Sequence, residues 1–552
     1  MRATMMEEPL LIHRFLERAG RLFPEVEVVS RRPDGSLHRH RYGEFFARAH
    51  RLAAGLAAGG LDKGDRVATL LWNHHVHLEA YFGIPIRGGV VHTLNPRLAA
   101  EELAYIADHA QDRVLIVDEV LLSVLEGFRE RAPFSRILVA NRQGQALPAW
   151  AECYEEVLAR APQELVYSPA GEEDPVGMCY TSGTTGHPKG VVYSHRSTVL
   201  HALASALPDS VGLSHRDTVM PVVPMFHVNA WGLPYAAVMV GAKLVFPGPR
   251  LDASSLLELL EGEQVTVAAG VPTVWLRVLE ALDAEPGRWR LHPELRLIVG
   301  GSAAPEAMIR GFDRHGVTVI HAWGMTEMSP LGTLCRLKRE HQQADEDTRY
   351  RYRAMQGLPM PVVDMRIVDE KGEVGWDGRS MGELQVRGPC VARAYYNRPD
   401  AADAFTADGW FRTGDVAVIT PEGYMKIADR TKDLVKSGGE WISSVDLENA
   451  LMGHPQVAEA AVVAVPHPRW EERPLAVVVP RDPPPGVEEL RAHLAARFPK
   501  WWLPDAILFV EEIPKSSTGK FLKRALRERF GRASWEELKA QEEEQQRRAE
   551  AG

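Results

Sequence analysis

The chain has 552 residues, of which 45% are hydrophobic and 25% are charged, so it can form several structural units and is too apolar for a largely disordered protein. Its formal net charge of -10 argues against the basic surface of a general nucleic-acid-binding protein. The widely spaced cysteines, Cys153, Cys179, Cys335 and Cys390, form no CxxC pair, which predicts reduced thiols in a cytoplasmic protein.

The N-terminal segment carries Glu7, Glu8 and Arg14 within its first twenty residues, so no signal peptide is expected. The most apolar stretch, residues 231–242, contains Gly232 and Pro234. It is shorter than the roughly 20 residues that cross a bilayer. We therefore expect a core or pocket segment there and no transmembrane segment.

Short β-branched runs alternate with longer amphipathic stretches, the pattern of a parallel α/β sheet. The predicted strands lie at residues 114–117, 219–223, 265–268, 295–299 and 317–320. A helix is predicted over residues 98–109, with its start set by Asn95 and Pro96. Loops rich in Gly, Ser and Thr tend to follow the strands, where open α/β sheets hold ligands.

One such loop, TSGTTGHPKG at residues 181–190, follows a predicted strand at residues 176–180. Glycines let backbone N–H groups turn inward, the hydroxyls add donors and Lys189 adds a positive charge, so phosphate is the expected ligand. Only two residues separate Gly183 from Gly186, and Gly190 follows Lys189. This spacing is not that of a Walker A loop and disfavours a P-loop kinase or GTPase.

The same loop resembles the signature loop of the adenylate-forming superfamily, which contains acyl-CoA synthetases, luciferases and the adenylation domains of peptide synthetases. The resemblance implies an α/β protein with a large N-terminal domain of several subdomains and parallel sheets, followed by a small mobile α/β domain. We expect the large domain at residues 1–428, a hinge at 429–434 and the small domain at 435–552. Two apolar runs, residues 457–465 and 475–479, supply strands for the small domain.

The resemblance also implies the residues that bind ATP. GGSAAP, at residues 300–305, resembles the segment that packs against adenine, and HAWGMTE, at 321–327, resembles a second nucleotide motif. The nucleotide-binding residues expected from these three motifs are Thr181, Ser182, Gly183, Thr184, Thr185, Gly186, Lys189, Gly301, Ser302, Ala303, His321, Ala322, Trp323, Gly324, Met325 and Thr326.

A hard cation such as Mg²⁺ prefers oxygen ligands and neutralises a triphosphate. By resemblance, Thr181 and Glu327 form the magnesium site and Thr326 serves the phosphates. The motif WFRTGD ends in Asp415, the expected acceptor of hydrogen bonds from both ribose hydroxyls.

Two C-terminal motifs resemble mobile parts of the superfamily. In DRTKDLVKSGGEWIS, residues 429–443, the resemblance gives six residues a role in the hinge or in nucleotide or CoA binding. These are Arg430 near the ribose, Lys432 at the pivot, Lys436 and Trp441 toward the nucleotide, and Gly438 and Gly439 beside the pantetheine arm of CoA. In PKSSTGKFLKR, residues 514–524, Lys520 is expected to bridge the substrate carboxylate and the α-phosphate. Lys523 and Arg524 are expected to be ordinary solvated side chains.

Substrate choice depends on PMFHVNAWGLPYA, residues 224–236, an apolar and small-residue stretch. Together with residues 438–455 it resembles bacterial long-chain fatty acyl-CoA synthetases. In these, His227, Val228 and Asn229 face the adenylate and Trp231 gates the fatty-acid tunnel. The catalytic residues expected from the whole resemblance are Lys520, Glu327, Thr326 and His227.

The implied function is an acid–thiol ligase that uses ATP, Mg²⁺ and CoA to convert a long- or medium-chain fatty acid to its acyl-CoA thioester. The alternatives are a CoA ligase for short acids such as 3-methylmercaptopropionate and an acyl-AMP ligase with another acceptor. A luciferase-like oxidase and an inactive adenylate-binding module are disfavoured. Resemblance further implies a homodimer, and the charged residues from about Gln541 onward predict a solvated tail.

Overall fold

The computed structural model describes residues 1, 3–144, 146–162, 167–168, 170–181, 187–438, 440–516 and 519–551. Within this part of the chain, four β-sheets organise the fold. Two are large and mostly parallel, the third is antiparallel, and the fourth is formed by the C-terminal region.

The first large sheet has nine strands, of which the central ones are parallel and the edge strands antiparallel. In spatial order they are β16 (Leu358–Pro359), β15 (Leu331–Leu334), β14 (Thr318–Gly324), β13 (Arg296–Val299), β12 (Val267–Gly270), β10 (Thr218–Pro221), β11 (Lys243–Phe246), β1 (Glu27–Arg31) and β2 (Leu37–Arg41). The GGSAAP motif follows β13, and the HAWGMTE motif covers the end of β14 and the short segment after it.

The second large sheet has seven strands and ends at the hydroxyl-rich loop. Its strands in spatial order are β7 (Glu152–Cys153), β6 (Arg136–Ala140), β5 (Asp112–Asp118), β3 (Arg66–Leu70), β4 (Val90–Thr93), β8 (Pro175–Tyr180) and β9 (Gly190–Ser194). β8 and β9 are antiparallel and flank residues 181–189.

The third sheet is antiparallel throughout and has five strands, an element that the sequence pattern did not predict. They are β18 (Gly372–Val374), β17 (Asp364–Asp369), β19 (Gly382–Arg387), β20 (Phe411–Ile419) and β21 (Met425–Arg430). The C-terminal sheet contains β23 (Glu440–Ile442), β22 (Val435–Ser437), β25 (Glu471–Pro480), β24 (Val457–His467) and β26 (Ala506–Phe509).

Helices pack on both large sheets and on the C-terminal sheet. Those that the structure describes are His13–Leu22, Tyr42–Ala58, His75–Ile86, Ala100–Ala110, Leu122–Glu126, Tyr154–Arg160, His195–Ala206, Leu233–Val240, Ala253–Gly262, Pro272–Ala284, Glu306–Arg314, Arg339–Gln342, Glu346–Arg353, Ser444–Met452, Val487–Ala495, Lys523–Phe530 and Trp535–Ala551. The helix His75–Ile86 is buried on every face because it lies between the nine-stranded and seven-stranded sheets. No helix in the described ranges combines the length and apolarity that crossing a membrane requires.

The predicted strands are present with shifted ends; for example, β10 stops at Pro221 and β12 begins at Val267. The prediction that Asn95 and Pro96 start a helix was wrong. The side chain of Asn95 instead accepts a hydrogen bond from the Arg97 N–H at 3.0 Å, which forms a turn. The helix begins after Ala99, whose extended backbone makes it the N-cap.

The prediction of a solvated tail was also wrong. The helix Trp535–Ala551 packs along β26, and buried Glu542 accepts a hydrogen bond from the Ile507 N–H at 2.7 Å. Glu542 also pairs with Arg491 at 2.7 Å. The first turn of the helix buries Trp535 and Leu538 in the core, whereas the part after Gln541 is held by polar side chains, which a search for apolar periodicity does not detect.

Lys523 is largely buried, although the sequence predicted a solvated side chain. Its side chain is 12% exposed, and its ammonium lies 2.8 Å from the carboxylate of Glu448. The ammonium also donates to Ser444 at 2.5 Å and lies 3.9 Å from Asp429. Burial raises the pKa of Glu448 to about 7; burial alone would lower the pKa of Lys523, but Asp429 and Glu448 outweigh it and raise that pKa. Arg524 is 66% exposed, as expected.

We predict that Lys523→Met destabilises the C-terminal region by about 3–5 kcal/mol, because the carboxylates are left buried without their cation. Arg524→Met, the matched exposed neighbour, should change the free energy of unfolding by less than about 0.5 kcal/mol. Hydrogen exchange of the β24 and β25 amides in the full chain measures both. Equal protection in the two variants would contradict the prediction.

Candidate active site

The GGSAAP loop is held by a neutral histidine on β14. His321 donates from Nδ1 to the carbonyl of Ala354 at 2.9 Å and accepts at Nε2 from the Ala304 N–H at 3.1 Å. Burial lowers the pKa of His321 to about 4, so the ring remains neutral and can fill both roles. The side chain of His321 therefore fixes the loop that contains Gly301, Ser302 and Ala303.

Asp415 on β20 is the centre of a buried polar group. One carboxylate oxygen accepts a hydrogen bond from Trp323 Nε1 at 2.9 Å, and the other lies 2.7 Å from Arg430 Nε. Asp415 and Arg430 face each other in the β20–β21 register, so the sheet itself aligns this ion pair. Each oxygen keeps a lone pair that could accept from a ribose hydroxyl.

Glu327 is a second buried carboxylate, in the short segment after β14. Burial raises the pKa of Glu327, although Tyr395 donates a hydrogen bond to it at 2.6 Å and acts in the opposite direction. The ammonium of Lys189 lies 4.8 Å from the ring centre of Tyr395, on the same side of the site. A desolvated carboxylate beside a hydroxyl-rich loop fits the oxygen ligands that Mg²⁺ prefers.

Further hydrogen bonds fix the backbone at Thr181, which follows β8, and at Thr326, which follows β14. The Thr181 N–H donates to the Lys189 carbonyl at 2.9 Å, and the Lys189 N–H donates to the Thr181 hydroxyl at 3.3 Å. Tyr193 donates to the carbonyl of Thr326 at 2.8 Å. Ser182, Gly183, Thr184, Thr185 and Gly186, and Gly439 in the small domain, lie outside the described residues.

Lys520 reaches this group from the C-terminal region. A Cβ placed on Gly301 would lie 3.5 Å from Lys520 Cε, so the lysine lies directly over the GGSAAP loop. Burial lowers the pKa of Lys520 to about 8, Arg430 adds to the decrease, and Asp415 and Glu327 oppose it. The pKa of Lys520 is therefore set in part by the charges of Glu327, Asp415 and Arg430.

The other hinge and C-terminal residues lie at the surface. Lys432 is exposed in the turn between β21 and β22, and the exposed Lys436 and Trp441 pack against each other with the ammonium 4.8 Å from the ring centre. Gly438 has a φ of 62° and packs against Trp470, where a Cβ would be 3.0 Å from the ring. The structure does not bring Lys436 or Trp441 into contact with the Asp415 group through any described hydrogen bond or ion pair.

The predicted acyl segment contains a left-handed turn. Val228, Asn229, Ala230 and Trp231 all have φ between 45° and 57°, and Gly232 follows with 71°. Left-handed backbone costs roughly 1–2 kcal/mol for each residue with a Cβ, so such runs are rare. Two hydrogen bonds anchor the preceding segment: Tyr81 donates to the Met225 carbonyl at 2.5 Å, and the Met225 N–H donates to the side-chain oxygen of Asn73 at 2.6 Å.

This turn places Trp231, the predicted gate residue, against the GGSAAP loop. A Cβ at Gly300 would lie 3.2 Å from the indole of Trp231, and Trp231 is 7% exposed. His227, half-buried at the start of the turn, has its pKa lowered to about 3 by burial and then by the charge of Lys520. The imidazole is therefore neutral and lies within the electrostatic range of the lysine.

Two tyrosines contribute to the site without having been predicted. Tyr395 donates a hydrogen bond to Glu327 and contacts the ammonium of Lys189 with its ring. Tyr193 donates a hydrogen bond to the carbonyl of Thr326. Tyr395 belongs to ARAYYNRP, residues 392–399, whose adjacent tyrosines fit neither helical nor strand periodicity. That irregular aromatic pair in a loop is the signal that could have identified it.

Comparison with known proteins agrees with this arrangement. Residues 16–396 match the model of the AMP-binding enzyme family, and residues 446–520 match that of the AMP-binding enzyme C-terminal domain. The chain therefore belongs to the AMP-binding enzyme family. This confirms the predicted superfamily and the prediction that the chain is an enzyme.

Among curated relatives, the chain is similar to a long-chain-fatty-acid–CoA ligase of Thermus thermophilus, with 54% identity over 96% of this chain and 97% of the relative. It is 44% identical to a 3-methylmercaptopropionyl-CoA ligase of Ruegeria lacuscaerulensis, over 96% and 99%. A medium-chain-fatty-acid–CoA ligase of Ectopseudomonas oleovorans is also 44% identical, over 96% and 98%.

The fold is that of a solved anthranilate CoA ligase, AuaEII, in complex with anthranoyl-AMP. The two structures agree with a TM-score of 0.85 over 96% of this chain and 99% of the other, at 24% identity. The predicted α/β class, with a large N-terminal part containing parallel sheets and a smaller C-terminal domain, is confirmed.

We predict that Ala230→Gly is better tolerated than Ala236→Gly by about 2 kcal/mol. Both substitutions remove a fully buried methyl group. Glycine relieves the left-handed backbone at 230, whereas at 236 it adds flexibility to the helix Leu233–Val240. Urea unfolding followed by tryptophan fluorescence compares the two variants. A lower stability of Ala230→Gly than of Ala236→Gly would show that the turn is not strained.

Proposed function

We propose that the protein is an AMP-forming fatty acid–CoA ligase. The substrate carboxylate attacks the α-phosphorus of ATP to give acyl-AMP and pyrophosphate, and the CoA thiol then displaces AMP to give acyl-CoA. The observation that carries the proposal is the position of the half-buried Lys520 over the GGSAAP loop, within the electrostatic range of Glu327 and Asp415. The family and the three CoA ligase relatives support the same reaction.

Each proposed catalytic role follows from charge and position. The carboxylate is already a nucleophile, so catalysis is positioning and stabilisation of charge, without a covalent enzyme nucleophile. Lys520 neutralises charge at the carboxylate and α-phosphate, and Asp415 accepts from the ribose hydroxyls beside Arg430. His227, which is neutral, can donate a hydrogen bond to the adenylate.

We assign the metal-binding role to Thr181 and Glu327, with Thr326 and Lys189 binding the phosphates. Mg²⁺ would neutralise the triphosphate there. The hydroxyl of Thr181 and the desolvated carboxylate of Glu327 provide hard oxygen ligands. Residues 182–186, which lie outside the described part of the chain, complete the proposed phosphate loop.

The second half-reaction requires a different arrangement of the C-terminal region. We propose the domain boundaries at 428 and 434, with Lys432 as the pivot whose rotation withdraws Lys520 and brings Gly438 and Gly439 to CoA. The contacts to be broken include Arg481 with Glu280 at 2.7 Å and the Thr273 hydroxyl with the Gly519 carbonyl at 3.4 Å. Exposed polar contacts of this kind are weak enough to separate.

A long- or medium-chain fatty acid is the proposed substrate, with Val228, Asn229 and Trp231 lining its entrance. The resemblance also supports a cytoplasmic homodimer, and the free thiols of all four cysteines are consistent with a reducing compartment. Lys436 and Trp441 are proposed to approach the nucleotide only in the rotated arrangement.

The substrate is tested by incubating the protein with MgATP, CoA and acids of two to twenty carbons, together with 3-methylmercaptopropionate, and following AMP and thioesters by mass spectrometry. We expect thioester formation to peak at long or medium chains. If thioester formation is greatest with 3-methylmercaptopropionate, the proposed reaction is correct and the proposed substrate is wrong. Acyl-AMP without thioester would instead indicate an acyl-AMP ligase with another acceptor.

The role of Lys520 is tested by Lys520→Ala. Adenylation should fall by about 100-fold or more, because the charge developing at phosphorus loses the cation that stabilises it. Conversion of supplied acyl-AMP to acyl-CoA should change by less than about threefold, since the lysine is then withdrawn. Exposed Lys500→Ala is the matched control and should leave both steps intact. Loss of only the thioester step would contradict the assignment.

A further inference from the structure

A group of three histidines lies at the opposite edge of the nine-stranded sheet from the candidate active site. His38 and His40 are on edge strand β2, and His75 begins the helix His75–Ile86. β2 is six strands from β14, which corresponds to roughly 29 Å across the sheet. Neither the proposed reaction nor the family comparison uses these residues.

The composition of β2 is unusual for a strand at the border of a core. Its sequence is LHRHR, and the two positions that turn inward are both histidines, with His40 buried and His38 half-buried. Inward positions of a strand are normally apolar, because burying an unpaired polar group is unfavourable. The spacing i, i+2 directs both imidazoles to the same face.

Polar atoms in this group lack partners. Neither ring nitrogen of His40 has a hydrogen-bond partner among the described residues, and the same is true of His75 Nδ1. Buried polar atoms without protein partners are rare in folded proteins, and a bound ion is one explanation for them. The rings are also close, with centroids 4.2 Å apart for His38 and His75 and 5.2 Å apart for His40 and His75.

We propose that His38, His40 and His75 bind a zinc ion through three imidazole nitrogens, with water as the fourth ligand on the half-exposed His38 side. One nitrogen from each residue lies within 4.8 Å of the other two. Tetrahedral zinc with bonds of 2.0–2.1 Å requires about 3.4 Å between ligand nitrogens, so ring rotations suffice to close the site.

The charges around the site permit a cation. Arg48 is nearby, but its guanidinium is paired with Glu79 at 2.6 Å and with Glu155 at 2.7 Å. The carboxylates of Glu44 and Glu155 also act on His38. Arg32 contacts His38 Nδ1 at 3.0 Å from the solvent side, and zinc would replace this exposed contact.

The bound ion would connect the edge strand to the helix between the two large sheets. The His75 N–H already donates to Ser30 on β1 at 3.0 Å, so the helix start is aligned with the β1–β2 hairpin. Zinc would add a second, stronger connection at the same place. Its expected effect is on stability, and activity of the ligase does not depend on it.

The test uses the full chain stripped with a chelator and titrated with Zn²⁺ by calorimetry in millimolar Mg²⁺, which occupies oxygen-rich sites. We expect one zinc per chain with a Kd of about 1 µM or tighter. His38→Ala and His40→Leu should weaken binding by about 100-fold or more, because each removes a ligand. His215→Ala, an exposed histidine in another loop, is the control and should bind like the wild type.

Co²⁺ provides a second readout, because a tetrahedral three-histidine site gives intense visible absorption that an octahedral water complex lacks. Zinc should also raise the Tm of the wild type and leave that of His38→Ala unchanged. If the buried His40→Leu fails to fold, the half-exposed His38→Ala decides the result. Wild-type zinc affinity no greater than that of His38→Ala would overturn the proposal.

Discussion

The carboxylate of Asp415 joins three parts of the molecule through charged and polar contacts. It belongs to the antiparallel sheet, accepts from Trp323 at the end of the nine-stranded sheet, and pairs with Arg430 next to the hinge. Because Asp415 is buried, its hydrogen bond from Trp323 is shielded from water, whereas the ion pair is partly screened on the side of Arg430, whose side chain is 45% exposed. These contacts therefore link the two sheets and the start of the proposed hinge at the candidate nucleotide site.

The charges around this carboxylate have a consequence for domain closure. Lys520 lies near the carboxylates of Asp415 and Glu327 and also near Arg430, whose positive charge lowers the pKa of Lys520 further. Burying Lys520 there is unfavourable, as its lowered pKa indicates. A bound polyphosphate would relieve this repulsion. We therefore expect nucleotide binding and closure of the C-terminal region to be thermodynamically coupled.

The sequence was sufficient for the fold class and for the motifs, because strands of parallel sheets and their glycine-rich loops leave local patterns. It was insufficient for Lys523 and for the terminal helix, whose burial depends on partners distant in sequence, Glu448 and Arg491. Within a basic stretch of sequence, a lysine that is solvated in the fold cannot be distinguished from one that is buried and paired. Tyr395 was missed for the same reason, since its partners Glu327 and Lys189 come from two different sheets.

The left-handed turn at residues 228–231 limits how this enzyme can change its substrate. Most side chains are strained at those backbone angles, so substitutions in the turn alter the local fold before they alter the shape of the proposed acyl entrance. Residues on the following helix, Leu233–Val240, have ordinary backbone geometry, so substitutions there are limited by packing in the core and not by backbone strain. Among related enzymes that differ in chain-length preference, we therefore expect sequence differences in the helix and a nearly constant sequence in the turn.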